Sequence, residues 1–177
     1  FQPRFSIHSA NSDNSVTEPW MYHRVTPTIR EAIRFRYRLT PYLYSAEYEA
    51  SQTGIPIMRA LVCEFQEDPN VYDESFTFLF GRDLLVANVL EKGEKTKTVY
   101  LPAGCKWYDW NDSFRCYEGG QTIEMPVTLS SIPLFIREGA VIPSADNFIR
   151  NMERDPVTAL HLILAPRSEE HTSELQS

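Results

Sequence analysis

The chain has 177 residues, with 17 Lys and Arg against 24 Asp and Glu, and a formal charge of −7. At 42% hydrophobic and 12% aromatic it has the apolar surface for a packed core, which excludes disordered and collagen-like chains. The acidic balance argues against a nucleic-acid partner, no apolar run reaches the ~18 residues that cross a bilayer, and Cys63, Cys105 and Cys116, without CxxC spacing, read as buried reduced thiols rather than a zinc site or disulfide framework.

Residues 1–7 form a short aromatic and apolar run leading into 9–17, rich in Ser, Asn and Asp, as in a strand that ends in a long polar loop. Over 27–50 the spacing turns helical, with Ile29, Ile33, Tyr37, Leu43, Ala46 and Ala50 on one side and Arg30, Arg34 and Arg38 on another. Thr26 before Pro27 reads as an N-cap followed by Pro at the first helical position. Thr40-Pro41 repeats that signal, so the helix kinks or divides there, and Gly54 stops it. Residues 55–65 (IPIMRALVCEF) are almost continuously apolar, which predicts a parallel strand covered on both faces and closes a βαβ unit.

After the acidic loop 66–74, β-like runs at 84–90, 96–101, 106–110, 121–129 and 132–142 are separated by turn residues at the spacing of an antiparallel sandwich. A boundary near 81–84 divides an α/β piece from an all-β piece, and 157–164 reads as the start of another strand. The chain opens at Phe1 in mid-stretch. Its last eleven residues, 167–177 (RSEEHTSELQS), have one large apolar residue and match the translation of a common sequencing adapter. The expectation is a piece of a longer protein, truncated at both ends.

No phosphate loop, nucleophile elbow or HExxH helix is present in the sequence. The informative blocks are FQPRFSIHS at 1–9, EPW at 18–20, FRYRLTPYLYSAEYEA at 35–50, GIPIMRAL at 54–61, GRDLLVANVL at 81–90, VYLPAG with KWYDW across 99–110, and IPLFIREGAVIP at 132–143. In this order and spacing they resemble glycoside hydrolase family 31, which contains α-glucosidases, α-xylosidases, sulfoquinovosidases and transglycosidases. The resemblance implies an α/β plus all-β fold: the last part of a (β/α)8 TIM barrel followed by an antiparallel β-sandwich domain. Residues 1–82 would be the C-terminal portion of the barrel, 83–145 the proximal C-terminal β-sandwich, 146–166 the start of a further β region, and 167–177 the adapter-like artefact.

The resemblance also implies a retaining α-glycosidase that hydrolyses α-linked, gluco-configured oligosaccharides. One Asp attacks the anomeric carbon and a second protonates the leaving oxygen and then activates water. Both are expected upstream of Phe1, so the chain alone is expected to be inactive. By the same resemblance His8, at the end of the seventh barrel strand, bonds sugar hydroxyls in the subsite where cleavage occurs. Barrel enzymes hold ligands at the C-terminal ends of strands, and an imidazole can donate or accept a hydrogen bond. Many family members carry Arg and Asn where this chain has Ser6 and Ile7, so sugar preference does not carry over.

The remaining candidates read as architecture. Asp13 shapes the polar loop, and in Glu18-Pro19-Trp20 the Trp packs while the Glu pairs with a nearby donor. Arg59 in an apolar strand requires a partner carboxylate. Trp107, Tyr108, Asp109 and Trp110 read as sandwich core before sugar platform, and the Arg30, Arg34, Arg36, Arg38 series as a solvated helix face bridged to Glu31. No metal or organic cofactor is implied. The expected partner is an oligosaccharide or glycoside substrate, with no nucleic acid and no membrane; localisation is left open, with the cytoplasm favoured. The alternative function is a non-catalytic carbohydrate-binding or assembly module built on the β-rich half.

Overall fold

The computed structural model describes residues 1–5, 11–13, 15–16, 18–146, 149, 151 and 153–167. Residues 1–5 form no strand. After a 3₁₀ turn at Pro19–Met21 come two helices in direct succession, α1 (Thr26–Arg38) and α2 (Thr40–Thr53). Each has a proline in its first turn, where the missing N–H has no intrahelical partner to lose. The two threonines stand one place inside the helices, and the caps are Val25 and Leu39. The Thr26 hydroxyl donates back to the Tyr22 carbonyl at 2.9 Å, so it serves the preceding turn rather than the helix end. Gly54, at φ +74°, closes α2 in the left-handed conformation that glycine adopts at no steric cost.

Among the described residues ten strands follow: β1 (Met58–Ala60), β2 (Thr77–Phe80), β3 (Leu84–Ala87), β4 (Thr96–Leu101), β5 (Lys106–Asp109), β6 (Cys116–Glu118), β7 (Gln121–Pro126), β8 (Leu134–Arg137), β9 (Val141–Ala145) and β10 (Leu160–Leu164). Six make one sheet in the order β1-β2-β3-β8-β5-β6, while β4 with β7 and β9 with β10 form two-stranded ribbons. Every pairing among the described residues is antiparallel. The parallel strand expected at 55–65 is therefore corrected. Only Met58–Ala60 extends, it pairs antiparallel with β2, and the chain then turns through a 3₁₀ helix at Leu61–Cys63. A continuous apolar run reports burial on two faces and is silent on strand direction, and here its residues serve several ends: Leu61 and Phe65 turn into the core while Met58 stays exposed.

The sheet is covered on both faces. Phe78, Phe80, Leu84, Val86, Leu134 and Ile136 meet Leu39 and Tyr42 of the helices and Ile142 of β9. The alternate residues Leu79, Leu85, Ala87 and Phe135 meet Trp107, Leu61, Phe65 and the β4–β7 ribbon through Val99, Leu101 and Met125. At about 1.5–3 kcal/mol for each large apolar side chain fully buried, these layers are the main stabilising term. All residues of β2 and β3 are buried. Strands β1 and β2 lie before the residue 82/83 division read from the sequence and share the sheet with β3. The expected buried thiols also need correcting: Cys63, in the 3₁₀ turn, and Cys116, on edge strand β6, are exposed, and Cys105 is half-buried.

Helix α2 is latched to the sheet by one phenol. The Tyr42 hydroxyl donates to the Phe80 carbonyl at 2.9 Å and accepts from the Asp83 N–H at 3.1 Å, across the turn held by Gly81 at φ +65°. A Cβ on residue 81 would collide with that hydroxyl, so glycine is required by both conformation and space. Burial, followed by the charge of Asp83, raises the Tyr42 pKa well above its ordinary value. The folded state thus holds the phenol proton more tightly than the unfolded chain. The contribution is complete below the unfolded pKa of about 10 and is lost as pH rises through the higher folded value. Tyr42→Phe is expected to cost about 1–2 kcal/mol at neutral pH. Its urea midpoint should also fall less steeply than the wild type's above about pH 10, which denaturation at a series of alkaline pH values will measure.

Candidate functional site

His8, with Ser6 and Ile7 beside it, lies outside the described residues. The approach to it is described. Phe1 packs edge-on against Phe35 of α1 and Phe80 of β2, with ring centroids 5.7 and 5.9 Å apart. Arg36 of α1 donates from one guanidinium nitrogen to the Gln2 carbonyl at 2.7 Å and from the other to the Pro3 carbonyl at 2.8 Å, and its plane lies 5.3 Å from the Phe5 ring centroid. Burial lowers the Arg36 pKa from its ordinary value, yet the guanidinium stays charged at neutral pH. Two carbonyls and an aromatic face thus fix the segment that leads to residue 8, and a fork of rigid donors suits that task.

Downstream, Asn11 donates to the Ser15 carbonyl and hydroxyl at 3.0 and 2.9 Å, and Asp13 accepts the Ser15 N–H at 2.9 Å. Bonds from Ser15 hold the Asp13 carboxyl below the usual carboxylate range. Asp13 thus shapes its loop, as read from the sequence. Trp20 is a correction: it is 65% exposed, because the 3₁₀ turn Pro19–Met21 carries its ring away from both cores. The Arg series also divides. Arg34 bridges Glu31 at 2.6 Å on the exposed face, whereas Arg36 turns to the N-terminal segment and Arg38 lies over the Phe35 ring. Sequence reasoning missed the role of Arg36, since helical spacing alone does not separate it from its neighbours.

Arg59 has the partners its burial demands, at 2.9 Å to Glu49 and 2.6 Å to Glu64. Trp107 is buried in the core, with its indole N–H donated to the Pro102 carbonyl at 3.0 Å. The groove beneath residues 1–5, about 250 Å³, is walled by Ile29, Ile33, Leu39, Leu43 and Phe80, with Arg36 as its polar lining residue. Hydroxyl-rich ligands need several convergent polar groups, so this groove is a packing surface. Among the described residues no group of three His, Cys, Asp or Glu could hold a metal ion, and no helix is long and apolar enough to cross a membrane.

Residues 1–46 match the model described as the glycosyl hydrolases family 31 TIM-barrel domain, and residues 54–142 match the glycosyl hydrolase family 31 C-terminal domain. The chain is 41% identical over 162 residues to a probable glucan 1,3-alpha-glucosidase of Oryza sativa subsp. japonica, covering 89% of this chain and 17% of that protein. It is 40% identical over 137 residues to an alpha-xylosidase of Saccharolobus solfataricus, covering 77% and 19%. A GH31 dextranase of Flavobacterium johnsoniae, solved with glucose, superposes with a TM-score of 0.81 at 37% identity, covering 88% of this chain and 19% of the dextranase. The chain therefore spans under a fifth of the length of these proteins.

Replacing Arg36 tests the anchoring role directly. Arg36→Ala is expected to lower stability by about 1–3 kcal/mol. Arg36→Lys should recover only part of that, since an ammonium lacks the planar fork that reaches both carbonyls. Guanidinium chloride unfolding of the three proteins gives the ranking, and equal stability of wild type and Arg36→Ala would contradict it.

Proposed function

The chain belongs to glycoside hydrolase family 31, and from that membership we propose that it is part of a retaining α-glycosidase acting on α-linked, gluco-configured oligosaccharides. The observation that carries this reading is the consecutive match of the family's barrel model and C-terminal model to residues 1–46 and 54–142. The relatives' names, a glucosidase, a xylosidase and a dextranase, span glucosyl and xylosyl substrates. They support the glycosidase class and leave the linkage to experiment. In this reading the barrel portion ends within α2 rather than at residue 82. Membership of β1 and β2 in the large sheet supports that.

The proposed division of labour follows from chemistry. The nucleophilic Asp and the acid/base Asp lie upstream of Phe1, and this chain contributes His8. A bond from the His8 imidazole to a hydroxyl of the sugar being cleaved would strengthen as the ring distorts toward the oxocarbenium-like transition state. Arg36 is a positioning residue in this scheme, acting through the backbone of Gln2 and Pro3.

The parent enzyme should hydrolyse an aryl α-glucoside and release the α-anomer first, read by proton NMR of the nascent product. Release of the β-anomer, or no turnover, would overturn the proposal. The 177-residue chain alone should show no turnover above a buffer blank. In the parent, His8→Ala should lower kcat/KM by on the order of 30- to 1000-fold, or about 2–4 kcal/mol of transition-state stabilisation, with the melting temperature unchanged. A variant that melts early while keeping its kcat/KM would make His8 a structural residue.

A further inference from the structure

A small cleft lies where α1, the β5–β6 turn and the β9–β10 ribbon meet, and it uses none of residues 1–20. Its volume is about 230 Å³. That is below the ~300–1,000 Å³ of pockets for drug-sized ligands and leaves room for one ring. We propose that it binds a single pyranose ring, stacked on Trp110 and Phe114 and hydrogen-bonded by Arg38, Asp146 and His161.

The floor is aromatic. Trp110 packs with its centroid 5.3 Å from Phe35 and 6.1 Å from Phe114, and Phe114 remains 44% exposed. Phe114 is held there at a cost. Ser113 and Phe114 have φ of +49° and +57°, a left-handed conformation that costs non-glycine residues ~1–2 kcal/mol each. For a bulky side chain it is an outlier that clusters at ligand clamps. The turn is fixed from several sides: Asp109 accepts the Asn111 N–H at 2.8 Å, Asn111 donates to the Ile132 carbonyl at 2.8 Å, and the Arg115 N–H reaches the Asp112 carbonyl at 2.8 Å.

The opposite wall is polar, and strand alternation explains why. Ser144 faces His161 across the β9–β10 ladder, Ile142 faces Ile163, and the Asp146 N–H extends the ladder to the Ala159 carbonyl at 3.2 Å. Ser144, Asp146, His161 and Ile163 therefore share one face of the ribbon, and they line the cleft together with Arg38 and Phe35 of α1. Among the described residues, no hydrogen bond or ion pair engages the side chains of Arg38, Ser144, Asp146 or His161, nor the Trp110 indole N–H. Ser144 is 9% exposed and lines the cleft. These polar groups are free to exchange bonds with water for bonds with a ligand.

The mixture of groups selects the ligand class. Asp146 disfavours phosphate and other anions, a single carboxylate beside Arg38 disfavours cations, and a purely aromatic ligand would leave these polar groups unmet. A pyranose has C–H faces for the rings and a fringe of hydroxyls that both donate and accept. That the sugar is a glucoside rests on the glycosidase reading above.

The test is a titration of the ¹⁵N-labelled 177-residue chain with methyl α-D-glucopyranoside. Three indole signals are available, from Trp20, Trp107 and Trp110. The Trp110 signal should shift saturably while that of buried Trp107 stays in place. Asp146→Asn and His161→Ala change exposed side chains and should keep the fold, yet each should raise Kd about tenfold or more. No saturable shift, the same shift with glycerol, or unchanged Kd in both variants would overturn the proposal. In the parent, loss of aryl α-glucoside hydrolysis with the Trp110 response intact counts against the glycosidase reading alone. Intact hydrolysis with no Trp110 response counts against this site alone.

Discussion

The structure turns on a guanidinium that has been taken out of water. Arg59 sits in β1 at 1% exposure, where a charge without partners would be untenable. Its Nε donates to the Pro56 carbonyl at 2.9 Å, and its two terminal nitrogens reach Glu64 and Glu49. Burial alone would lower its pKa, but the bonds and charges of Glu64 and Glu49 outweigh that and raise it. Glu64 also accepts from Arg137 of β8 at 3.3 Å, and Arg137 lies 4.9 Å from the Phe65 ring centroid. The requirement that one buried charge be neutralised thus sets the relative position of α2, β1, the turn after it and β8. Hydrophobic burial supplies the bulk of the stability, but it is indifferent to register; this network is not.

Around that fixed point the sheet is a plate with two covered faces, and this explains what the sequence made legible and what it did not. The antiparallel strands β4 and β5 begin where the turn residues predict, and β4 matches over its full length, because Pro102, Gly104 and the alternating apolar residues speak in one local register. The helical pair was legible for the same reason: two Thr-Pro pairs and Gly54 mark its ends. The strand β2 (TFLF) went unread, since four buried residues in a row give neither alternation nor helical period. Residues 55–65 were misread on the same ground. Two-face burial arises in parallel sheets, but an antiparallel strand roofed by helices on one side and a ribbon on the other has the same composition.

The candidate sites divide in a similar way. Partners forced by burial could be read from single residues: Arg59 had to find carboxylates, and Trp107 had to pack and donate its N–H. Roles that depend on three-dimensional convergence could not. Arg36 differs from Arg34 only in where α1 points it. The residues around Trp110 come from four separate segments, and no spacing rule unites positions 38, 110, 146 and 161. A lone His such as His161 carries no signal in sequence until a ribbon pairs it with Ser144.

These contacts also bear on how the helices are held against the strands. Segments of one chain that meet through small polar interfaces are expected to move relative to one another. Here the helices matched by the barrel model meet the strands matched by the C-terminal model through an aromatic pair, Phe35 with Trp110, through the Tyr42 latch and through the Glu49 to Arg59 ion pair. A charge-assisted bond, a phenol bonded twice and a tilted pair of rings resist sliding in different directions. The helix α1, held from behind in this way, presents Arg36 to the carbonyls of Gln2 and Pro3. The β layers therefore brace α1, and a substitution that loosens the Trp110 turn would reach residues 1–5 through that helix.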